Sequence, residues 1–357
     1  MELTIEMISA GLRTAVPLAA FLAAVIYLAG ATERSGAAER AAVTIARLVR
    51  GCGWAAFVLV AVLGAGLTAT VSLDGAAVIM VPVVRRLERV SGFSLRLSLM
   101  ASIAVCNAAS AIVPQGNPAN LALMAGGREG PAAYLRIMAP AGIAASLIAL
   151  SAIAIGERAA LRRPLKTPPP PGAAGPGEAV VAAGLGVAAG LSVLAVWAGM
   201  TPWWPACVAA AAVAAALGRR GRPAPVRVPG KIVLWVGAGA ALVTPAAGLI
   251  GRSIASARSP SALVAVAVAA TAAAALVNNL PAAAALGAAG AHGLPAAAGV
   301  IGLAVGALAA RRGSVATMLL IGLGDPDGEC GLRAGYGRTW VPVAALAVAA
   351  ATAALLA

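Results

Sequence analysis

Residues 68–82 read TATVSLDGAAVIMVP, and the one acid in them, Asp74, decides how the chain is read. It lies in the middle of residues 51–84, which carry no other charge. As a single helix that stretch would be about 51 Å long, against a bilayer core of about 30 Å. Both flanks are basic, with Arg34, Arg40, Arg47 and Arg50 before it and Arg85, Arg86, Arg89 and Arg96 after it. Basic loops stay on the cytoplasmic side, so both ends fall on one face. The expected structure is a re-entrant hairpin that enters the membrane, turns at Ser72–Gly75 and leaves by the same face. Non-helical backbone at that depth is tolerated only when buried in protein or lining a cavity, which makes the tip a functional signal.

The rest of the chain agrees with a membrane setting. Of its 357 residues 61% are apolar and 11% charged, where a soluble domain has about 45–50% and about 25%. Mean hydropathy is +0.94. A polytopic, all-α integral membrane protein follows, expected in a bacterial inner membrane. The formal charge of +14 sits in short clusters between apolar runs rather than in a patch, so no nucleic-acid partner is expected. Cys52, Cys106, Cys207 and Cys330 are far apart and His292 is the single histidine, so neither a disulfide framework nor a metal site is expected. The first residues lack a basic leader and carry two Glu, which argues against a cleaved signal peptide.

A plain span, 15–31, precedes the charged loop 32–50 and the hairpin. After the hairpin, residues 97–125 form a span interrupted at NAASAIVPQGNPANLALM (107–124). Pro114 and Pro118 cannot continue a helix, so two half-helices with an unwound middle are expected. A span at 132–155 follows, then a cytoplasmic loop ending in TPPPPGAAGPGE (167–178), a semi-extended linker. Spans at 179–199 and 202–217 lead to the most basic loop, with Arg219, Arg220, Arg222, Arg227 and Lys231. The order then recurs: a span at 232–250, a long segment at 259–291 broken by VNNLPAAAALG (277–287), a span at 296–323 broken at ARRGSVATM (310–318), and a last span at 340–357.

Asp74 pairs with Asn278, and Asn120 with Thr317, at nearly constant separation. The expectation is eight spans plus two hairpins in two inverted repeats. Residues 1–156 would be the first repeat, 157–178 the linker, 179–231 two connecting spans with their basic loop, and 232–357 the second repeat. The loops so placed inside hold 19 of the 26 Lys and Arg. Paired breaks in inverted halves are the signature of a secondary transporter with its site between them. There is no Walker-type phosphate loop and no large cytoplasmic domain. Transport would therefore run on an ion gradient or on a separate cytoplasmic ATPase.

At four places, SLDGAAVIMVPVV (72–84), NAASAIVPQGNPANL (107–121), VNNLPAAAALG (277–287) and GSVATMLLIG (313–322), the chain resembles the ion-transporter superfamily, most closely its arsenite-efflux permeases. In those permeases an Asn/Asp hairpin tip precedes a broken helix with a small-polar Asn motif. A second Asn-Asn-x-Pro tip precedes Gly-Ser-x-Ala-Thr. The resemblance implies a secondary carrier, often a homodimer, working by an elevator-like shift of the hairpin-bearing part. Where the permeases carry an uncharged stretch ending in Thr-Pro-Ile, this chain has Ala309, Ala310, Arg311 and Arg312.

The candidate substrate or ion site follows from these breaks: Ser72, Asp74 and Gly75 at the first tip, and Asn107, Gln115, Gly116, Asn117 and Asn120 at the first break. Asn278 and Asn279 stand at the second tip, and Gly313, Ser314 and Thr317 at the second break. Asp74, costly in a membrane without a partner or a task, is expected either to couple transport to H+ or Na+ or to cap the half-helix that starts at Gly75. The amides offer oxygens to a cation or merely satisfy broken backbone. Arg311 and Arg312 either face the cavity, pairing with Asp74 or an anion, or snorkel to the surface. Cys106 reads as a packing residue, and the tryptophans read as interfacial anchors.

The expected activity is efflux of arsenite or a similar small oxyacid, coupled to protons or the membrane potential, with no catalytic residues and no cofactor. An anion carrier of the citrate, dicarboxylate or sulfate type, or a sodium/proton antiporter, is the alternative. An intramembrane enzyme is remote, because one buried acid has no Ser/His or second-acid partner.

Overall fold

The computed structural model describes residues 2–124, 130–201, 203–218, 227–243, 257–288 and 292–357, and all regular structure among them is helical. Arg219, Arg220 and Arg222, the end of the span at 232–250, and residues 125 and 289–291 of the broken span and second hairpin lie outside the described residues.

The chain opens with α1 (Glu2–Arg34), which starts before residue 15 and so takes Arg13 into a membrane-length apolar helix, Thr4–Arg34. The segment expected as a charged loop is a second helix, α2 (Ala37–Leu48). Ala38, Ala42, Ile45 and Ala46 recur at helical spacing and are buried, so α2 lays one face on the protein. The hairpin follows as α3 (Gly53–Thr70) and α4 (Leu73–Ser91), with its turn at Val71–Ser72. Its two mouths lie together: the Leu165 N–H donates to the Gly51 carbonyl (3.0 Å) and the Lys166 N–H to the Ser91 carbonyl (2.9 Å). One short segment touches both ends, which is what a re-entrant hairpin requires.

The first broken span is α5 (Leu95–Ala108), tight 3-10 turns over Ala109–Ala111 and Pro114–Gly116, and α6 (Pro118–Met124). The span α7 (Pro131–Gly156) and a short α8 (Arg158–Leu161) lead to the linker. The linker is not loose. Arg40 donates to the Gly172 carbonyl (2.7 Å) and Arg47 to that of Pro168 (3.0 Å), while Arg40 also pairs with Glu178. Next come α9 (Pro176–Trp197), α10 (Trp204–Leu217) and α11 (Gly230–Val243).

The second hairpin is α12 (Pro260–Val277) and α13 (Asn279–Ala288), turning at Asn278. Its ends also meet, since Ala257 and Arg258 line one small cavity with His292 and Gly293. The second broken span is α14 (Gly293–Ala304), a 3-10 turn at Gly306–Ala309 and α15 (Val315–Gly324). The chain then finishes with α16 (Tyr336–Leu356). Six of these helices are long and apolar enough to cross a membrane, and five apolar segments are shorter. The chain is a multi-pass membrane protein.

Corresponding helices of the two halves of the chain pack on one another. α1 lies on α11 and α7 on α16, each helix against its own counterpart. α4 packs beside α15, and α13 beside α6, so each hairpin embraces the other repeat's half-helix. Gly11 and Gly237 make the α1–α11 crossing close, because a Cβ on either would press on the other's carbonyl oxygen (3.0 and 3.4 Å). The counterparts also share side chains: Tyr134 and Pro140 in α7 answer Tyr336 and Pro342 in α16.

Candidate functional site

The two tips have the same unusual backbone. Ser72 has φ 121° and ψ 167°, and Asn278 has φ 90° and ψ 150°. This region is nearly glycine-only, and a side chain held there marks a strained, over-determined turn. Ser72, not Asp74, is therefore the counterpart of Asn278, and the pairing expected from sequence moves by two residues. Ser72 also caps α4, its Oγ accepting the Gly75 N–H at 3.4 Å. Asp74 lies inside the first turn, so the capping role expected for it belongs to Ser72. Gly75 lets the tip fold tightly on itself, since a Cβ there would stand 2.6 Å from the Val71 side chain.

The two breaks match equally closely. A Cβ on Gly116 would strike the Ser110 carbonyl oxygen, and one on Gly313 would strike that of Ala307. Asn117 and Ser314 then start the half-helices. Asn117 Oδ1 accepts the Ala119 N–H (2.9 Å), and Ser314 Oγ accepts that of Thr317 (3.1 Å). Asn120 donates to the carbonyls of Ser110 (2.7 Å) and Val113 (3.0 Å), holding the first break shut.

Tips and breaks are tied to each other. Gln115 donates to the Ala69 carbonyl at the end of α3 (2.8 Å). Asn278 donates to the Arg312 carbonyl (2.8 Å), and the Asn279 N–H to that of Gly313 (2.8 Å). Asn107 reaches across from α5 to Thr317 Oγ1 (3.0 Å), which Ser314 Oγ also meets at 3.0 Å. The Ala316 N–H, in the first turn of α15, faces the Asp74 carboxylate. Four half-helices, α4, α6, α13 and α15, thus begin at one buried junction.

Of the fifteen residues expected at the site, all but Arg311 and Arg312 are buried. Those two are exposed at the second break, and Arg312 stacks over the Trp235 ring of α11 at 5.0 Å. Neither forms an ion pair with Asp74 among the described residues, so of the two positions read from sequence the exposed one, away from Asp74, is the one observed. Within the junction several polar atoms have no hydrogen-bond partner among the described residues: Asp74 Oδ1, Asn107 Oδ1, Gln115 Oε1, Asn120 Oδ1 and both polar side-chain atoms of Asn279. Buried polar groups are normally paired. A cluster of unpaired ones is therefore a place made to meet something else. Cys106 is fully buried in the core, as a packing residue.

A cavity of about 420 Å³ opens beside the junction. Ser72 and Asp74 of the first tip, Pro118 of the first break and Leu280 of the second tip line it. The rest of the lining was not read from sequence: it comes from α1, with Arg13 and Phe21, and from Trp203, which lines the cavity rather than serving only as an interfacial anchor. The available signal was Arg13 itself, a lone charge in an apolar run that the expected span boundary left outside.

No curated protein matches the chain. A family model described as citrate transporter matches residues 3–310, which takes in both hairpins and the first break and ends where the second break begins. On the strength of that match over most of its length, the chain belongs to the citrate transporter family.

Proposed function

We propose that the protein is a secondary carrier for a small carboxylate anion of the citrate type, driven by a gradient of protons or cations. The observation that carries this reading is the meeting of helix N-termini. α4, α13 and α15 all begin at the buried junction, beside the unpaired amide of Asn279. Such ends present N–H groups and positive dipole ends, which suit an oxyanion. A neutral arsenite molecule gains little from them, and the other cysteines lie on other elements than Cys106. Membership of the citrate transporter family supports the same class of substrate. Arsenite efflux is the competing outcome of the test.

Asp74 is the acid of the junction, and its unpaired Oδ1 neighbours the α15 N-terminus. We assign it the coupling step. A proton or cation held at Asp74 neutralises the carboxylate, which lowers the cost of carrying a loaded site through the low-dielectric interior. The amide oxygens of Asn107 and Gln115 supply neutral ligands nearby.

The test is uptake of labelled citrate by liposomes holding the purified protein, with an imposed proton or sodium gradient. Gradient-driven accumulation is expected, competed by other polycarboxylates, and reduced at least about tenfold by Asp74→Asn, a barrier change of about 1.4 kcal/mol. Arsenite accumulation that citrate does not compete with would overturn the anion reading. Undiminished gradient coupling in Asp74→Asn would remove Asp74 from the coupling step.

A further inference from the structure

The cavity beside the tips holds a positive charge that belongs to neither tip. In α1, Arg13 is the only charged residue between Glu6 and Glu33. An Arg within a membrane span is costly, and those that persist face a bundle interior or a water-filled cavity. Arg13 lines the cavity together with Ser72 and Asp74, and it is the only cationic side chain among the described lining residues, as Asp74 is the only acidic one. No ion pair joins Arg13 to an acid among the described residues. The remaining wall is mostly apolar, with Pro17, Leu18, Phe21 and Leu280. A mostly apolar cleft with a few placed polar groups, within about 300–1,000 Å³, is the form of a small-molecule site.

Resting on the anion-carrier reading, we propose that Arg13 is a specificity-determining residue that binds a second carboxylate of the substrate while the first lies at the half-helix N-termini. The carrier then selects anions with two or more carboxylates on a short carbon frame over monocarboxylates. The guanidinium suits this task, because its planar fork holds a carboxylate through two parallel N–H bonds, which a lysine ammonium cannot reproduce. The arrangement also divides the labour: α1 provides a fixed charge, and the tips provide the dipole ends and the coupling acid. Arg13 stands on a different helix from every residue that the break motifs identify.

Trp203 lines the same cavity and gives a binding signal independent of transport. Citrate, succinate and acetate are titrated into the wild type, Arg13→Lys and Arg13→Gln by tryptophan fluorescence, with Trp203→Phe to assign the signal and thermal melting to confirm folding. Arg13→Gln is expected to weaken citrate binding at least about tenfold and Arg13→Lys to recover part of it, with acetate affinity unchanged in both. Wild-type citrate affinity in a folded Arg13→Gln, with citrate still bound and transported by the wild type, overturns the role of Arg13 and leaves the carrier reading standing. Failure of the wild type to bind any polycarboxylate overturns both.

Discussion

At the scale of single residues, Asn278 and Asn279 are neighbours with opposite work. The Asn278 side chain is fully used, donating to the Arg312 carbonyl and accepting the Leu280 N–H at 3.2 Å. The Asn279 side chain is equally buried and makes no hydrogen bond among the described residues. Removing a buried group whose partner stays behind costs about 1–3 kcal/mol, whereas replacing an unpaired one with an apolar group of similar shape is neutral or stabilising. Asn278→Leu should therefore lower the melting temperature clearly, and Asn279→Leu should leave it level or raised while abolishing citrate uptake. A fall in stability for Asn279→Leu equal to that for Asn278→Leu would make both structural. The sequence makes these two amides look identical, because composition and spacing say that a polar group is present at a break and nothing about which backbone atom lies opposite. It does locate them: thirteen of the fifteen expected residues are buried at the junction. Arg13 escaped because a span boundary is drawn at the first charge, and a charge facing a cavity sits inside the span.

At the scale of elements, the hairpins were legible because length and charge together forbid a simple crossing. The helix α2 was not, since its five buried apolar positions are interleaved with charges that read as a loop. The linker followed the same pattern, its Pro and Gly content predicting extension correctly but not the arginine donors of α2 that hold it down. The native cysteines test the resulting orientation. Cys52 is exposed at the mouth of the first hairpin and Cys330 lies in the loop before α16, both on the face expected to be cytoplasmic. Burial, and then the charges of Asp325, Glu88 and Glu329, push the Cys330 thiol up to about 11. Since the thiolate is the reacting form, Cys330 should react slowly with maleimide at pH 7 and faster as pH rises toward that value. Cys52 should react readily at pH 7 in inverted vesicles, and an impermeant maleimide should reach neither cysteine in intact cells. Labelling of Cys52 from outside intact cells would reverse the orientation.

At the scale of the whole molecule, the packing divides into a frame and a tip-bearing body. α9, α10 and α11 all pack on α1, and α9 on α10, while α3 to α7 and α12 to α16 form the body around the junction. The two parts meet where α1 touches α4, α11 touches α13, and α9 touches α3 and the Pro114–Gly116 turn, and the cavity with Arg13 and Asp74 lies on that boundary. A sequence shows the order of the halves but not this division, because which helix packs on which is set by close approaches such as Gly11 on Gly237 rather than by periodicity. If the body moves against the frame, a link within the frame should be harmless and a link across the boundary should stop transport. Position 11 allows the first link: a Cβ on Gly11 stands 3.7 Å from that of Ala241, inside the range of about 3.5–4.5 Å that a disulfide needs. Leu18 of α1 and Leu280 of α13 line the cavity from opposite parts and allow the second, through a flexible dithiol-reactive reagent. In a background without native cysteines, oxidised Gly11→Cys/Ala241→Cys should keep citrate uptake near its reduced rate. Bridged Leu18→Cys/Leu280→Cys should lose uptake and regain it when a reducing agent opens the link. Uptake that survives the boundary link would mean that the tips open in place, with no displacement of the body, and the fixed charge on α1 would then stay beside the same bound anion throughout the cycle.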